Sequence, residues 1–161
     1  MESLDLRVLA DVLAWKQSGH SVTLVTVVET WGSAPRPPGA LLAVRDDGLV
    51  SGSVSGGCVE DDLIARIKAG EYEHLAYPSM VAYGATKEEA ARFGLPCGGT
   101  LRLVQEPVLG TAWIEQVLQR TRTHQLVART LSLKDGQVTL RDAQRGETLQ
   151  FDGMTLTTLF G

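Results

Sequence analysis

The stretch SVTLVTVVET at residues 21–30 decides the fold, because a run of β-branched and apolar residues is typical of a strand buried inside a sheet. The loop WGSAPRPPG follows at 31–39, and its prolines and glycines can neither extend a sheet nor begin a helix. Beyond it, ALLAVR at 40–45, the turn DDG at 46–48 and LVSGS at 49–53 predict a β-hairpin, since Asp-Gly supplies the positive φ of such a turn. We therefore expect residues 21–30 to form the central strand.

Helices and further strands are predicted on both sides of this central strand. Residues 4–17 carry apolar side chains on neighbouring helical turns, with Ser3 as the N-cap, and a second helix follows Cys58 and ends at Gly70. The other predicted elements are a strand at 74–83 interrupted at Pro78, a helix at 86–93, a glycine-rich loop at 94–99, a strand at 101–105, a helix at 113–120, and short strands at 126–133, 137–141 and 148–151.

These elements predict an α/β fold, a single domain with a mixed β-sheet flanked by helices and a β-rich C-terminal hairpin or arm. The strands of the sheet are expected near 21–30, 40–45, 49–53, 75–83 and 100–105. The sequence offers one candidate domain boundary, at residues 107–111. Residues 1–107 are therefore expected to form one unit, and residues 108–161 a β-rich tail or subdomain packed on it.

Composition and charge exclude several classes of protein. The chain has 161 residues, of which 43% are hydrophobic and 21% charged, and this is ordinary usage for a globular domain with one core. The net charge of −4, without a block of Lys or Arg, gives no electrostatic footprint for nucleic acid. The longest apolar runs fall short of the roughly 18 residues of a membrane helix. The acidic start lacks the features of a secretory signal, so we expect a cytoplasmic protein without a membrane partner.

Three glycine-rich loops each place a reactive or charged side chain beside the end of a predicted strand. They lie at 32–39, 52–58 and 96–99. Ligand sites concentrate on loops at strand ends, because a rigid sheet holds the loops in position there. These three loops are therefore the candidate site.

The second loop predicts an anion site beside a cysteine. Ser55, Gly56 and Gly57 precede a helix, and backbone N–H groups at such a start form a cradle for phosphate. Cys58 is expected in the first helical turn, where thiolate is stabilised, although the acids at 60–62 oppose this effect. The alternative is a plain glycine turn with a cysteine that packs as a small apolar side chain.

The other two loops contribute a cation, a hydroxyl and a second cysteine. Prolines on both sides hold Arg36 extended, which suits recognition of phosphate or carboxylate; the alternative is a solvated arginine in a rigid turn. The Ser33 hydroxyl either contacts a ligand or makes a local turn hydrogen bond. Cys97, followed by Gly98 and Gly99, is not expected to pack deeply. The two cysteines either share one site or lie far apart, and neither they nor the three histidines have the spacing of a structural zinc site.

Three segments resemble the XdhC/CoxI family of maturation factors for molybdenum hydroxylases. They are ETWGSAPRPPGALLAV from Glu29, GSVSGGCVED from Gly52 and YGATKEEAARFGLPCGGTLRLVQEP from Tyr83. The resemblance covers most of residues 1–107, and it implies an XdhC/CoxI-like cofactor-handling domain there. The implied function is a chaperone that binds the molybdenum cofactor, as molybdopterin or its nucleotide form, assists its sulfuration and delivers it to a xanthine or CO dehydrogenase. This favours a maturation factor over a turnover enzyme.

The resemblance also implies roles for individual residues. Cys58 and Cys97 are expected to contact molybdenum or its sulfur, because a thiolate is a soft ligand. The residues expected to shape the cradle or contact the cofactor are Ser33, Arg36, Ser55, Gly56, Gly57, Gly98 and Gly99.

The resemblance also implies partners. They are the apoenzyme of a molybdenum hydroxylase, a cysteine desulfurase or other sulfur donor, and a separate Rossmann domain. A second copy of the chain is a further expected partner, because protomers can exchange a projecting hairpin. Family members commonly continue into a Rossmann domain, but no G-x-G-x-x-G occurs here, so no NAD is expected for this chain. The sequence is then either a piece of a longer protein or one half of a split pair.

Two other functions stay open. One is a thiol-dependent sulfurtransferase or nucleotide-modifying enzyme that uses Cys58 or Cys97. The other is an interaction module whose glycine loops serve only the fold.

Overall fold

The chain forms three helices and nine strands in two sheets within residues 3–31, 38–54, 58–70, 77–84 and 100–161, which the computed structural model describes. The helices are α1 (Leu4–Gln17), α2 (Cys58–Lys68) and α3 (Ala112–Arg122). The strands are β1 (Val22–Trp31), β2 (Leu41–Arg45), β3 (Val50–Gly52), β4 (Ser79–Tyr83), β5 (Thr100–Pro107), β6 (Val127–Ser132), β7 (Val138–Asp142), β8 (Gln150–Phe151) and β9 (Thr155–Phe160). The α/β class expected from the sequence is confirmed. Among the described helices, none has the length and apolar character that crossing a membrane requires.

Helix α1 begins and ends where its sequence predicts. The Oγ of Ser3 accepts a hydrogen bond from the N–H of Leu6 at 3.2 Å, which satisfies one of the unpaired N–H groups of the first turn. Asp5 in the first turn and Lys16 in the last turn complement the helix dipole. Gly19 then adopts a φ of +89°, which ends the helix.

The first sheet has five strands in the order β3-β2-β1-β5-β4, with β1 in the centre as expected. The predicted hairpin is present, because β2 and β3 pair around a turn in which Gly48 has a φ of +94°. In one detail the sheet differs from the expectation of a mixed sheet: all of its described pairings are antiparallel. The reason is that α2 connects the two edge strands, β3 and β4, whereas a parallel pair needs such a crossover between neighbouring strands.

This five-stranded sheet is covered on both faces. Helix α2 packs on one face, where Val59 and Leu63 join the buried side chains of β1, β2 and β5. Helices α1 and α3 and the second sheet cover the other face. Burial on both sides explains why β1 and β2 are nearly continuous apolar runs.

The second sheet has four antiparallel strands in the order β7-β6-β9-β8. The sequence prediction contains only three strands in this tail and lacks β9, which lies between β6 and β8. Its signal is nevertheless present, since Leu156, Thr158 and Phe160 are buried and alternate with more exposed residues after the Asp152–Gly153 turn. The β-rich tail therefore forms a four-stranded sheet of its own.

A buried ion pair joins the two sheets. Glu106 on β5 and Arg129 on β6 have side chains that are 4% and 2% exposed. The Nη1 of Arg129 donates to Oε2 of Glu106 at 3.1 Å, and its Nη2 pairs with Oε1. The guanidinium also lies 3.9 Å from the ring centroid of Trp113 on α3. These contacts hold the tail against the five-stranded sheet, and the division between 1–107 and 108–161 stays a prediction.

Several predicted elements fall outside the described residues. They are the helix at 86–93, the glycine-rich loop at 94–99 and the first part of the strand at 74–83. The described part of that last strand begins directly after Pro78, at Ser79. This agrees with the interruption that the sequence predicts there.

Candidate functional site

The described ends of three glycine-rich loops lie at one end of the five-stranded sheet. Strand β1 ends at Trp31, opposite the start of β5. Strand β3 ends at Gly52, opposite the start of β2, and β4 ends at Tyr83, which also lies opposite the start of β5. Each of these strands is antiparallel to its neighbours in the sheet. The last residues of β1, β3 and β4 therefore lie at the same end of the sheet as the first residues of β2 and β5. The chain therefore enters or leaves all three loops at the same end of the sheet.

Most of the residues that the sequence assigns to the site lie outside the described part of the chain. These are Ser33, Arg36, Ser55, Gly56, Gly57, Cys97, Gly98 and Gly99. Cys58 is the first residue of α2, which agrees with the first-turn position expected for it. Whether Cys58 and Cys97 meet stays a prediction. Among the described residues, no group of three or more His, Cys, Asp or Glu side chains is placed to hold a metal ion.

A cavity of about 360 Å³ lies at this end of the sheet. Pro38 and Gly39, at the end of the first loop, line this cavity together with Ser53 of the second loop. The start of α1 and the second sheet form its other walls, with Leu4, Asp5, Leu149, Thr158, Leu159 and Phe160. Its volume is in the range of small-molecule pockets, roughly 300–1,000 Å³.

The carboxylate of Glu60 closes the second loop. The hydroxyl of Ser53 donates to Oε1 of Glu60 at 2.8 Å, and the N–H of Val54 donates to the same oxygen at 2.7 Å. Glu60 lies in the first turn of α2, so it ties the start of the loop to the helix that follows the loop. The N–H of Val54 is thereby already used, and the anion cradle expected here depends on the N–H groups that follow it.

Part of each motif serves the fold. Gly52 has a φ of +88°, and a Cβ on it would overlap the carbonyl oxygen of Leu41 and lie 2.8 Å from Cγ2 of Val8. Glu29 and Arg102 are partners in the register of β1 and β5, and Nη1 of Arg102 donates to Oε2 of Glu29 at 3.2 Å. These residues shape the sheet from which the loops emerge.

A hydrogen-bonded chain connects α2 to the end of β4. The hydroxyl of Tyr83, a residue that is 2% exposed, donates to Oδ2 of Asp62 at 2.7 Å. The same oxygen pairs with Nε of Arg66 one helical turn further on, at 2.9 Å. Tyr83 therefore holds helix α2, which begins at Cys58, against strand β4.

The family comparison covers the region of the first two loops. The model of the XdhC and CoxI family matches residues 15–76, which include β1, β2, β3 and α2. The matched segment contains Ser33, Arg36, Ser55 and Cys58, whereas Cys97 lies beyond it.

Two curated relatives carry names connected with molybdenum enzymes. Over 112 residues the chain is 34% identical to the molybdenum cofactor insertion chaperone PaoD of Escherichia coli (strain K12), and the match covers 64% of this chain and 31% of PaoD. Over 79 residues it is 33% identical to a Bacillus subtilis (strain 168) protein named as a probable subunit of xanthine dehydrogenase, covering 49% of this chain and 23% of the relative. The chain thus spans less than a third of the length of either relative.

A solved structure has the same fold. It is described as a xanthine dehydrogenase from Bacillus halodurans, and it superposes with a TM-score of 0.71 at 22% identity. The match covers 96% of this chain and 52% of that chain. At this level of identity the likeness shows the fold alone.

Two contacts made by residues of α2 are absent from the sequence prediction. Glu60 is expected there only as one of the acids that oppose a thiolate at Cys58, although its reach back to Ser53 and Val54 resembles the reciprocal part of a capping box. The pairing of Tyr83 with Asp62 has no sequence signal, because the two residues are 21 positions apart and meet only after the sheet forms.

Proposed function

We propose that this chain is the cofactor-handling part of a molybdenum cofactor insertion chaperone. It binds the molybdenum cofactor, assists its sulfuration and delivers it to a molybdenum hydroxylase of the xanthine or CO dehydrogenase type. The family match at residues 15–76 and the identity with PaoD support this function. The observation that carries the site is that three glycine-rich loops begin or end at one end of the five-stranded sheet.

The cofactor is the cargo of this protein, and each loop residue contacts a different part of it. The thiols of Cys58 and Cys97 contact molybdenum or its sulfur, because thiolates are soft ligands. Arg36 pairs with the phosphate of molybdopterin, since a guanidinium binds phosphate in a bidentate manner. The residues that leave backbone N–H groups or hydroxyls open to the cofactor are Ser33, Ser55, Gly56, Gly57, Gly98 and Gly99.

The position of Glu60 explains why this site needs an arginine. Its carboxylate lies beside the second loop and accepts the N–H of Val54. A phosphate brought to the same loop meets this negative charge as well as the charge of Asp61. Arg36 on the first loop supplies the positive charge that offsets them, which makes the first two loops act as one site.

The partners in this proposal are those that its chemistry requires. A molybdenum hydroxylase apoenzyme receives the cofactor, and a cysteine desulfurase or other sulfur donor supplies the sulfur. A separate Rossmann domain and a second copy of this chain are the further partners we propose, and the cytoplasm is the proposed location.

Anaerobic mixing with isolated molybdenum cofactor tests this function. Gel filtration followed by molybdenum analysis is expected to find the metal in the protein peak of the wild type. Cys58→Ala, Cys97→Ala and Arg36→Ala each remove a proposed contact, and Arg36→Ala is expected to weaken binding by about tenfold or more, as for a lost charge-assisted contact. Lys134→Ala is the matched control, because Lys134 is exposed on the turn after β6, away from the loops.

Elution of the wild type without molybdenum contradicts the proposal for this chain. Equal retention by the three variants and by Lys134→Ala contradicts the assignment of the site. The position of Cys58 at the start of α2 favours one rival, a thiol-dependent sulfurtransferase or nucleotide-modifying enzyme. Alkylation rates measured against pH separate the two, because a working nucleophile has a thiol pKa well below the free value of about 8.5.

A further inference from the structure

The cavity of about 360 Å³ beside the first two glycine-rich loops extends from those loops to the second sheet. Its lining includes Gly39 of the first loop, Ser53 of the second loop, and Thr158 and Leu159 of β9. A ligand that the loops hold at one end therefore has room for its other end in this cavity. The chemistry of the lining groups indicates what that other end is.

Thr158 brings a hydroxyl without a partner to this cavity. Its side chain faces the five-stranded sheet, because it alternates along β9 with Leu156 and Phe160, which pack in the core between the sheets. Thr158 is only 6% exposed, and its hydroxyl makes no hydrogen bond with the described residues. The oxygen is not one of the fully buried atoms that lack a partner, so it is open to the cavity that Thr158 lines. A polar ligand group beside it would satisfy this hydroxyl.

The other polar side chains of the cavity are hydrogen-bond acceptors. Asp5 in the first turn of α1 contributes a carboxylate, and the Oγ of Ser53, whose proton goes to Glu60, keeps its lone pairs. Asp5 has another interaction in the fold, but a carboxylate has about four lone-pair sites and accepts further N–H groups. No Lys, Arg or His is among the described residues that line the cavity. The lining therefore favours a group that donates N–H and disfavours a phosphate.

Apolar side chains supply the remaining contacts. Leu41 and Phe160 are each 4% exposed, and Leu149 is partly buried. Such side chains cover the faces of a flat heterocyclic ring, while a few polar groups fix the orientation of its edge. A flat ring with N–H donors along one edge thus matches this lining.

We propose that this cavity binds the pterin ring of the molybdenum cofactor. The pyrimidine edge of a pterin carries an amino group beside a ring N–H, and both donate to the carboxylate of Asp5. The carbonyl group next to this N–H accepts the hydroxyl proton of Thr158. The phosphate of the same molecule then lies at Arg36 and the backbone N–H groups of the loops. Pterin as the occupant rests on the proposed function, because that function brings molybdopterin to the loops.

Fluorescence titration with free pterin tests the site, and lumazine is the comparison ligand. In lumazine an oxo group replaces the amino group of pterin, so an acceptor meets the carboxylate of Asp5 in place of a donor. Pterin is expected to bind about tenfold or more tightly than lumazine, because lumazine loses a charge-assisted hydrogen bond. The backbone amide resonances of Gly39 and Thr158 are expected to shift when pterin binds.

Two isosteric variants test the two contacts. Asp5→Asn removes the negative charge and is expected to weaken pterin binding by about tenfold, with a smaller effect on lumazine. Thr158→Val removes the hydroxyl and is expected to weaken pterin binding by roughly two- to tenfold, as for a neutral hydrogen bond. Asp11→Asn on α1 and Thr157→Val on β9 are matched controls, because neither residue lines the cavity. Circular dichroism identifies a variant that does not fold, and the comparison of pterin with lumazine on the wild type then decides.

Three results overturn the proposal. They are the absence of pterin binding, equal affinities of the wild type for pterin and lumazine, and affinities of the two folded cavity variants equal to those of their controls. Binding that leaves the resonances of Gly39 and Thr158 unmoved places the ring elsewhere and also overturns it.

The failure of this site and the failure of the proposed chaperone function give different results. A wild type that retains molybdenum but does not bind pterin in the cavity overturns the pterin site alone. A wild type that binds pterin in the cavity but elutes without molybdenum contradicts the chaperone function and leaves the pterin site standing.

Discussion

The two sheets of this protein bury their strands in different ways. Strands β1 and β2 of the five-stranded sheet are buried on both faces, whereas β7 and β9 of the four-stranded sheet alternate between covered and more exposed residues. The first pattern produces a continuous apolar run and the second only a period of two. Substitutions in the two sheets are therefore expected to have different effects on the free energy of unfolding and on ligand contacts.

The largest effect is expected at the contact that joins the sheets. Glu106→Gln leaves the guanidinium of Arg129 buried without its counter-charge, and we expect the free energy of unfolding to fall by about 3–5 kcal/mol. Denaturant unfolding measures this change. The double variant Glu106→Leu/Arg129→Met removes both charges and is expected to recover most of the loss. A small cost for Glu106→Gln, or two separate unfolding transitions in the wild type, contradicts a firm connection between the sheets.

Matched leucines compare the two cores directly. Leu103 on β5 is fully buried, and we expect Leu103→Ala to lower the free energy of unfolding by about 2–5 kcal/mol. Leu140 on β7 is only partly buried, so Leu140→Ala is expected to cost less than about 2 kcal/mol, because less apolar surface is lost. Urea titration of both variants gives the comparison. If both variants lose the same free energy of unfolding, the expected difference between the two sheets is contradicted.

A hydroxyl deletion sharpens the comparison inside the five-stranded sheet. Tyr83→Phe removes the hydrogen bond to Asp62, and we expect a loss of about 1.5 kcal/mol, as for a hydrogen bond to a charged group. Tyr77→Phe is the control, because Tyr77 is 57% exposed. In the proposed chaperone, Tyr83→Phe is also expected to lower retention of molybdenum, since α2 is then held less firmly. Equal stability of the two variants contradicts a role for the Tyr83 hydroxyl.

The smallest effect is expected at an exposed ion pair of the four-stranded sheet. The guanidinium of Arg141, with the N–H of Gln144, lowers the pKa of Glu147 from its ordinary value of 4.5 to about 2. A lowered pKa means that the folded state holds this proton less tightly than the unfolded chain does. The stabilisation is therefore present above about pH 4.5 and is lost as the pH falls towards 2.

Denaturation midpoints of wild type and Glu147→Gln between pH 6 and pH 3 measure this dependence. The two midpoints are expected to differ at pH 6 and to approach each other as the pH falls. A difference that grows on acidification contradicts the assigned cause.

The sequence predicts those features that local patterns encode. Helix α1 with its Ser3 cap, the central strand β1 and the β2–β3 hairpin all agree with their sequence signals. The sequence does not predict features that depend on contacts between residues distant in sequence. Glu106 and Arg129 are 23 positions apart, and only the docking of β6 against β5 reveals that their charges meet. The same holds for β9, whose weak alternation becomes decisive only beside β6.

In the candidate site, too, the sequence predicts the local patterns but not the contacts that side chains make after folding. Its loops are recognisable from glycine content and strand ends, and the common sheet end agrees with grouping them. The closure of the second loop by Glu60 is set by a side chain that folds back onto Ser53 and Val54. Composition alone does not predict which way this side chain turns, because an acid at this position also interacts favourably with the helix dipole.

Gly52 shows how to interpret variation in the motif GSVSGGC. Its φ of +88° and the overlap that a Cβ would make with the Leu41 carbonyl oxygen exclude every side chain at this position, whatever the loop binds. A glycine retained at position 52 in related proteins therefore records a demand of the backbone and carries no information about cargo. In the proposed chaperone, substitutions at 55–57 are the ones expected to report a change of ligand. In the proposed chaperone, a library that varies these three positions with Gly52 fixed tests ligand specificity while keeping the backbone turn at Gly52.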